Sequence, residues 1–300
     1  MTHYNRAVIA KLKRIIFFSV LLCFVSSCST QEQLKNTDDN SLYQVKAMTF
    51  NIRYGNAEDE ENSWNNRKQI LFDVIRDFNP DILGLQEVLK FQLDELLDVM
   101  PHYTYSGVGR DDGKTAGEFA PIFYSRDRYI QDTTETFWLS DTPNIPGSKS
   151  WGNNITRICT WAKLFDKFSG KTFYFMNVHL DHQSSVSRIK SALAIVQKIK
   201  SFNNNLPVVL TGDFNTGEDD QTIKTILDYG LIDSYRKLNA KSANEGTFNS
   251  FTGEDSKDKI DFIFVSKHFV PEHSSIIKTN RNGKYPSDHF PVTAVIEFMK

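Results

Sequence analysis

The chain has 300 residues, 40% hydrophobic and 24% charged, close to the globular average, which excludes a disordered chain, a collagen, a coiled coil and a polytopic membrane protein. The formal net charge of −2 argues against a protein that holds nucleic-acid phosphates by charge alone. The three cysteines show no metal-ligand or redox spacing, and a chain of this length buries roughly three quarters of its unfolded surface, so it needs neither disulfide nor structural metal to fold.

The first elements are read as an address. Arg6, Lys11, Lys13 and Arg14 make a basic start without acidic residues, and Ile15 to Val25 follows as an apolar run. That run is too short for a membrane span, which needs about 20 residues, but it suits the apolar region of a signal peptide. It ends Val25-Ser26-Ser27-Cys28, which resembles a bacterial lipobox. The resemblance implies that residues 1–27 are a signal peptide cleaved before Cys28, that Cys28 carries a lipid, and that the protein sits in the bacterial cell envelope, outside the cytoplasm, anchored to a membrane. Cleavage removes four basic and no acidic residues, taking the net charge from −2 to −6. Cys159 is then the one remaining unmodified cysteine, and no intramolecular disulfide is possible. Residues 28–44 are polar and aperiodic, a flexible tether; residues 45–300 are expected to form one domain.

Within that domain strands and helices alternate. Val45 to Ile52 is expected as a strand, and Arg67 to Phe78 as a helix with Ile70, Leu71, Val74, Ile75 and Phe78 on one face, stopped by Asn79-Pro80. Ile82 to Leu85 reads as a buried strand; Phe91, Leu93, Leu96, Leu97 and Met100 mark a second helix before Pro101. Strands follow at 119–124, 158–165 and 172–179, then a helix at 184–200. A strand at 206–210, a short helix around Ile223, Ile226 and Leu227, and closing strands at 260–265 and 292–298 complete one α/β domain with two sheets. No internal repeat or linker interrupts residues 45–300.

Polar residues collect where the apolar strands end. Asn51; Gln86-Glu87; His179 to His182; Gly212-Asp213-Phe214-Asn215; Asp261; and Ser287-Asp288-His289 each follow or precede an apolar stretch. Singly, each has an ordinary explanation as a cap, a turn or a surface loop. Together they indicate a shared site, because ligands of layered α/β domains bind at strand ends and a buried carboxylate costs several kcal/mol unless paired or metal-bound. The donors are mostly oxygens, which suit magnesium or calcium rather than zinc. Displacement at phosphorus is the chemistry most in need of such a cation, with a carboxylate or histidine to activate water.

These residues, in this order, resemble the endonuclease/exonuclease/phosphatase superfamily across residues 45–300. The resemblance implies a deoxyribonuclease I-like four-layer sandwich: two mixed β-sheets packed face to face with helices outside. It also implies roles. Glu87 matches the main metal carboxylate, Asn51 an amide that helps hold metal or phosphate, and Asp288 a metal-side carboxylate. Asp213 matches the group that positions or deprotonates water, Asn215 an amide on the phosphate oxygens, and His289 the imidazole at the phosphate, oriented by Asp261. His179 matches a second histidine that donates to a phosphate or leaving oxygen. The Gly-rich stretch from Gly107 to Glu118 looks like a loop bringing Glu118 to His179, where a hydrogen bond would raise the imidazole's basicity. Tyr124 either caps the phosphate or packs in the core; Arg157 either meets the phosphate through its fork or forms a surface ion pair. Trp138 and Trp151 either line the substrate wall or, for Trp138, fill the core.

The implied activity is hydrolysis of a phosphate mono- or diester, small-molecule or lipid-linked, with Mg2+ as cofactor and Mn2+ or Ca2+ as alternatives. A second reading is an endo- or exonuclease on DNA or RNA, which the net −6 and the lack of a basic arm disfavour without excluding, since deoxyribonuclease I itself is acidic. A non-catalytic binding module would require losing catalytic positions that are all filled. A monomer is expected.

Overall fold

Each sheet is built around a pair of parallel strands joined by a helix, the connection that parallel pairing requires. The structure, a computed structural model, describes residues 39–254 and 256–299. The expected signal peptide, Cys28 and most of the tether lie outside the described residues. The chain divides into residues 1–43 and 44–300; in the first, a 3-10 turn spans Asp39–Tyr43. All that follows concerns the second.

In the first sheet, β1 (Gln44–Asn51) runs parallel to β2 (Ile82–Gln86), and α1 (Trp64–Phe78) crosses between them. β3 (Tyr103–Ser106), β4 (Ile122–Ser125), β11 (Phe269–Ile276) and β12 (Val292–Phe298) complete it in the order β11-β12-β1-β2-β4-β3. The second sheet is wired alike. β7 (Thr172–His179) runs parallel to β8 (Val208–Asp213) through α3 (Ser185–Ser201). Its order is β5-β6-β7-β8-β10-β9, with β5 Tyr129–Trp138, β6 Ile158–Asp166, β9 Ile232–Asp233 and β10 Asp261–Val265. Every other pairing is antiparallel.

Helices cover both outer faces. Trp64, Leu71, Phe72 and Ile75 of α1, with Leu93 and Leu96 of α2 (Lys90–Val99), pack on Met48, Phe50, Leu83 and Leu85. Ala192, Ile195, Val196 and Ile199 of α3, with Ile223 and Ile226 of α4 (Gln221–Asp228), pack on Tyr174, Met176, Val178 and Leu210. The result is the four-layer sandwich. At one end of the layer between the sheets, Phe173 meets Phe269 and Phe298 edge-on at 6.1 and 5.6 Å. Nearer the other end it turns polar: Gln86 Nε2 donates to Asn177 Oδ1 at 2.7 Å, and Asn177 Nδ2 to the Leu85 carbonyl at 2.7 Å. Gly84 permits this approach, since a Cβ there would overlap Thr211 Oγ1 and Asn177.

Local pattern failed in several places, three of them with a clear cause. The strand expected at 119–124 starts only at Ile122; Phe119 makes an isolated bridge to Val88, and Pro121 between them has no N–H to give a ladder. Strand β5 was not foreseen because as an edge strand it exposes most of its polar middle. Strand β11 carries Pro271 beside a register shift, a pattern tolerated only at an edge. No helix among the described residues is long and apolar enough to cross a membrane.

Candidate active site

Strand pairing delivers the polar residues to one edge of the sandwich. Asn51 lies opposite Gln86 at the ends of β1 and β2; His179 lies opposite Asp213 at the ends of β7 and β8; Asp261 opens β10 against Asp213. Asp288 and His289 precede β12. Three of the site's non-glycine residues adopt left-handed backbone, Arg53, Glu87 and Asn215 with φ of 56°, 61° and 51°, an arrangement that costs energy and persists where surrounding contacts fix it. They border a cavity of about 480 Å³ with Glu118, Arg157, His179, Asp213, Asp288 and His289.

The side chains form a row centred on Asp213. Asn51 Nδ2 bridges Glu87 Oε1 at 3.1 Å and Asp213 Oδ2 at 3.0 Å. The same Asp213 oxygen lies 3.6 Å from His179 Nε2 and 3.8 Å from His289 Nε2, and its other oxygen accepts the Asn215 amide at 2.8 Å. Behind His289, Nδ1 shares a hydrogen bond with Asp261 Oδ2 at 2.9 Å. Asp261 is itself held by the fold: Thr247 Oγ1 accepts its amide at 3.1 Å.

Electrostatics separates the roles. Burial, then the charge of Asp261, pushes the Asp213 carboxyl up to about 7, against the pull of His289. Burial opposes charging His289, but Asp261 and Asp213 overrule it and raise the imidazole to about 10. His289 is therefore a fixed cation near neutral pH, and Asp213 a carboxylate poised to take a proton. His179 goes the other way: burial, then Arg157 and Arg110, hold it well below its usual range, so it is a neutral imidazole offering one N–H.

The donor set fits a hard divalent cation at the Glu87 end. Both Glu87 oxygens are oriented by neutral donors, Asn51 Nδ2 and the Tyr54 amide at 3.0 Å, so its charge is placed without being neutralised. Asp288 is pushed up by burial and further by Glu87, although His289 and Arg53 pull it down; Arg53 Nε lies 3.7 Å from Asp288 Oδ2, but its fork is already bonded to Asp59. Oxygen donors from Glu87, Asp288 and Asn51 match magnesium or calcium chemistry. Asp213, Asp261 and His289 also put one donor atom each within 4.8 Å of one another, but there the hydrogen bond between Asp261 and His289 already occupies the facing atoms.

Most residues proposed from sequence meet here, with two corrections. Glu118 does not hydrogen-bond His179: the nearest approach is 4.0 Å, because both Glu118 oxygens are taken by Arg110 at 2.7 Å. His179 is consequently made less basic, not more. Tyr124 does not reach the cavity; it is buried on β4 and its hydroxyl donates to Gln131 at 2.9 Å. Arg157 is buried and borders the cavity, whereas Trp138 packs with Ala120 and Ile158 and supports the Gly-rich loop through Nε1 to the Arg110 carbonyl at 2.6 Å. Trp151 instead bonds Asp141 at 2.8 Å. Asn215 spends one amide hydrogen on the Leu180 carbonyl at 3.0 Å.

Sequence reasoning missed Arg53, Arg110 and Arg67. Arg110 had a signal, standing eight residues before Glu118 in the same loop. Arg67 had none: near the start of a helix it reads as a solvated charge, yet it is 2% exposed. It donates to the carbonyls of Ile52 at 2.7 Å and of Arg53, Asn62 and Pro286 at 2.9 Å each, pinning the loop after Asn51 to the loop before Asp288. Arg67→Met leaves four carbonyls without this donor and should cost about 3–5 kcal/mol, lowering Tm by roughly 10 °C. A thermal melt unchanged within a degree or two would show that water replaces it.

Comparisons with known proteins agree with this fold. The model of the Endonuclease/Exonuclease/phosphatase family matches residues 48–289. A crystal structure of an endonuclease/exonuclease/phosphatase from Bacteroides vulgatus is 39% identical with a TM-score of 0.80, covering 85% of this chain and 99% of its own. The mannosyl-6-phosphatase of Bacteroides thetaiotaomicron is 36% identical with a TM-score of 0.79, covering 85% of this chain and all of its own. The 3'-5'-exoribonuclease subunit Ccr4 of the Saccharomyces cerevisiae CCR4-Not complex is 24% identical over 79% of this chain but 36% of its own length, so this chain spans about a third of that relative.

Proposed function

The chain belongs to the endonuclease/exonuclease/phosphatase family and is a phosphoester hydrolase, and from that premise we propose that it hydrolyses the phosphate ester of a small polar molecule, a sugar phosphate in the first instance, with magnesium. The observation that carries this is the row of Glu87, Asn51, Asp213, His179 and His289, in which Asn51 is buried behind the others and the rest border a cavity of about 480 Å³. That volume suits a small ligand. The 36% identical mannosyl-6-phosphatase supports the sugar reading. The nuclease reading draws on distant relatives such as Ccr4; this chain's net negative charge lacks the phosphate-neutralising excess on which nucleic-acid binding normally draws.

In this reading Asp213 accepts the proton of a water whose oxygen bonds to phosphorus. The ester P–O bond breaks, its electron pair stays on the leaving oxygen, and that oxygen takes a proton from solvent while Asp213 returns its own to solvent, so that the sum is one water added across the bond. His289, held charged by Asp261, faces the oxygens where negative charge builds up, and neutral His179 donates an N–H. A divalent cation held by Glu87, Asp288 and Asn51 would supply Lewis-acid polarisation of the phosphate.

The test is a substrate panel on the purified chain with magnesium: hexose 6-phosphates including mannose 6-phosphate, p-nitrophenyl phosphate, supercoiled plasmid and RNA. Release of inorganic phosphate from a hexose phosphate, abolished by EDTA and restored by magnesium, is expected. Plasmid nicking or RNA trimming with no sugar-phosphate turnover would replace this reading with the nuclease.

We further propose that the protein is exported and lipid-anchored in a bacterial envelope through Cys28; the basic start, the apolar run and Ser26-Ser27-Cys28 support this. Expressed in a bacterium fed labelled palmitate, the wild-type chain should take up label and Cys28→Ala should not. A mature N-terminus other than Cys28 would overturn it.

A further inference from the structure

Three arginines border the cavity, and their forks are committed differently. Arg53 grips Asp59 through Nε and Nη2 at 3.0 and 2.9 Å. Arg110 grips Glu118 through both terminal nitrogens. Arg157 grips no carboxylate. Its Nη2 meets His182 Nδ1 at 3.0 Å, its buried Nε makes no hydrogen bond, and Nη1 makes none among the described residues. Yet its side chain is 3% exposed. Asp181 Oδ2, 3.6 Å from Nε, is close enough to hold the charge but not to bond it. The other Asp181 oxygen is occupied by the amides of Gln183 and Ser184 at 2.9 and 2.7 Å, which fixes that carboxylate in the turn leading into α3.

His182 explains how Arg157 is aimed. A guanidinium cannot accept a hydrogen bond, so His182 Nδ1 carries the lone pair and its ring proton sits on Nε2. The imidazole thus orients the fork at Nη2, while Asp181 offsets part of its charge from 3.6 Å without taking a hydrogen bond. A buried cation with unused donors is costly, and a ligand oxygen entering the cavity relieves that cost.

We propose that Arg157, aligned by His182, receives a third unsubstituted oxygen of the substrate phosphate, and so selects phosphate monoesters over diesters. The inference rests on the phosphoester reading above and narrows it. Near neutral pH a monoester is largely a dianion with three unsubstituted oxygens; a diester is a monoanion with two. His179 Nε2 and His289 Nε2 lie 3.6 and 3.8 Å from the same Asp213 oxygen, and Arg157 borders the same cavity. An ester-bearing oxygen placed there would bring carbon against guanidinium N–H groups and leave buried donors unpartnered, the situation in which a site rejects an analogue most strongly. The neighbouring wall is held in place, because Arg110 is tied to Glu118 by its fork and to Trp138 by its carbonyl.

The test compares p-nitrophenyl phosphate with bis(p-nitrophenyl) phosphate, which share a leaving group, on the purified full chain with magnesium. Wild type should prefer the monoester. Arg157→Ala should lower monoester kcat/KM by roughly 100-fold or more and change diester turnover little, with added guanidinium ion restoring part of the monoester rate alone. His182→Ala, a change to a positioning residue, should raise KM for the monoester more than it lowers kcat, and His182→Gln, whose amide oxygen accepts from Arg157, should recover it. Folded Arg157→Ala, judged by its melt, that loses both activities equally while wild type remains a monoesterase would overturn this inference and leave the phosphoester reading standing. A wild type that hydrolyses neither ester but cuts nucleic acid would overturn that reading and this inference with it.

Discussion

Replacing His289 with alanine is expected to lower kcat by about 10³–10⁴-fold, with a smaller effect on KM. The reason is where the charge lies. His289 is buried, its Nδ1 is bonded to Asp261 at 2.9 Å, and its Nε2 points toward Asp213 at 3.8 Å. Those two carboxylates keep the imidazole charged despite its burial, up to about pH 10. An imidazolium so fixed stabilises charge that builds up on phosphate oxygens in the transition state more than charge already present in the ground state, which is why kcat carries the loss. The variant also leaves Asp261 without its partner, and the other Asp261 oxygen is already buried and unbonded. The fold should then lose about 3 kcal/mol at neutral pH, the usual cost of stranding one member of a buried pair. Steady-state rates on a substrate turned over by wild type, beside thermal melts, separate the two effects. A folded His289→Ala chain with turnover within about tenfold of wild type would remove His289 from the chemistry.

The second large effect is expected at Asp213→Asn, which keeps the side chain's shape and its contact with Asn51 but loses the proton acceptor. A loss of about 10³-fold in kcat is expected. The pH profile carries the sharper signature. Asp213 must be ionised to accept a proton, so wild-type activity should rise as pH climbs through its pKa, about 7. His289 must be charged, so activity should fall as pH climbs through about 10. Asp213→Asn should abolish the acidic limb of the residual activity and move the alkaline limb to lower pH, because the Asp213 charge helps keep His289 protonated. Persistence of the acidic limb in this variant would assign it to another group, with Asp288, also raised by burial, the next to test.

Much of this site was legible before the fold was known. Asn51, Glu87, His179, Asp213, Asp261 and His289 each stand at the end of an apolar stretch, and the regularity of the strands delivers those ends to one edge. Burial gives these carboxylates meaning: exposed, they would be ordinary loop residues. The helices were similarly plain, since their apolar faces repeat at the helical period and are stopped by Asn79-Pro80 and Pro101. Edge strands β5 and β11 were not, because β5 exposes most of its polar middle and the alternation of β11 is broken at Pro271 beside its register shift.

The sequence by itself determined the class of chemistry: hard oxygen donors, two histidines and acidic residues, in an order that matches a phosphoester-hydrolase family, on a chain too acidic to rely on its own charge. Tertiary structure alone decided who partners whom. Glu118 was assigned to His179, and Arg110 captured it because a bidentate guanidinium pair is stronger than a single bond to a neutral imidazole. Tyr124 was offered to the phosphate, and β4 turned it to Gln131. Arg67 crosses 219 residues to reach Pro286, and Arg157 crosses 25 to reach His182. A side chain's secondary-structure period is set by its neighbours in sequence, but its charge is settled by whichever group the packed layers bring within about 3 Å, and that distance exists only in the folded chain.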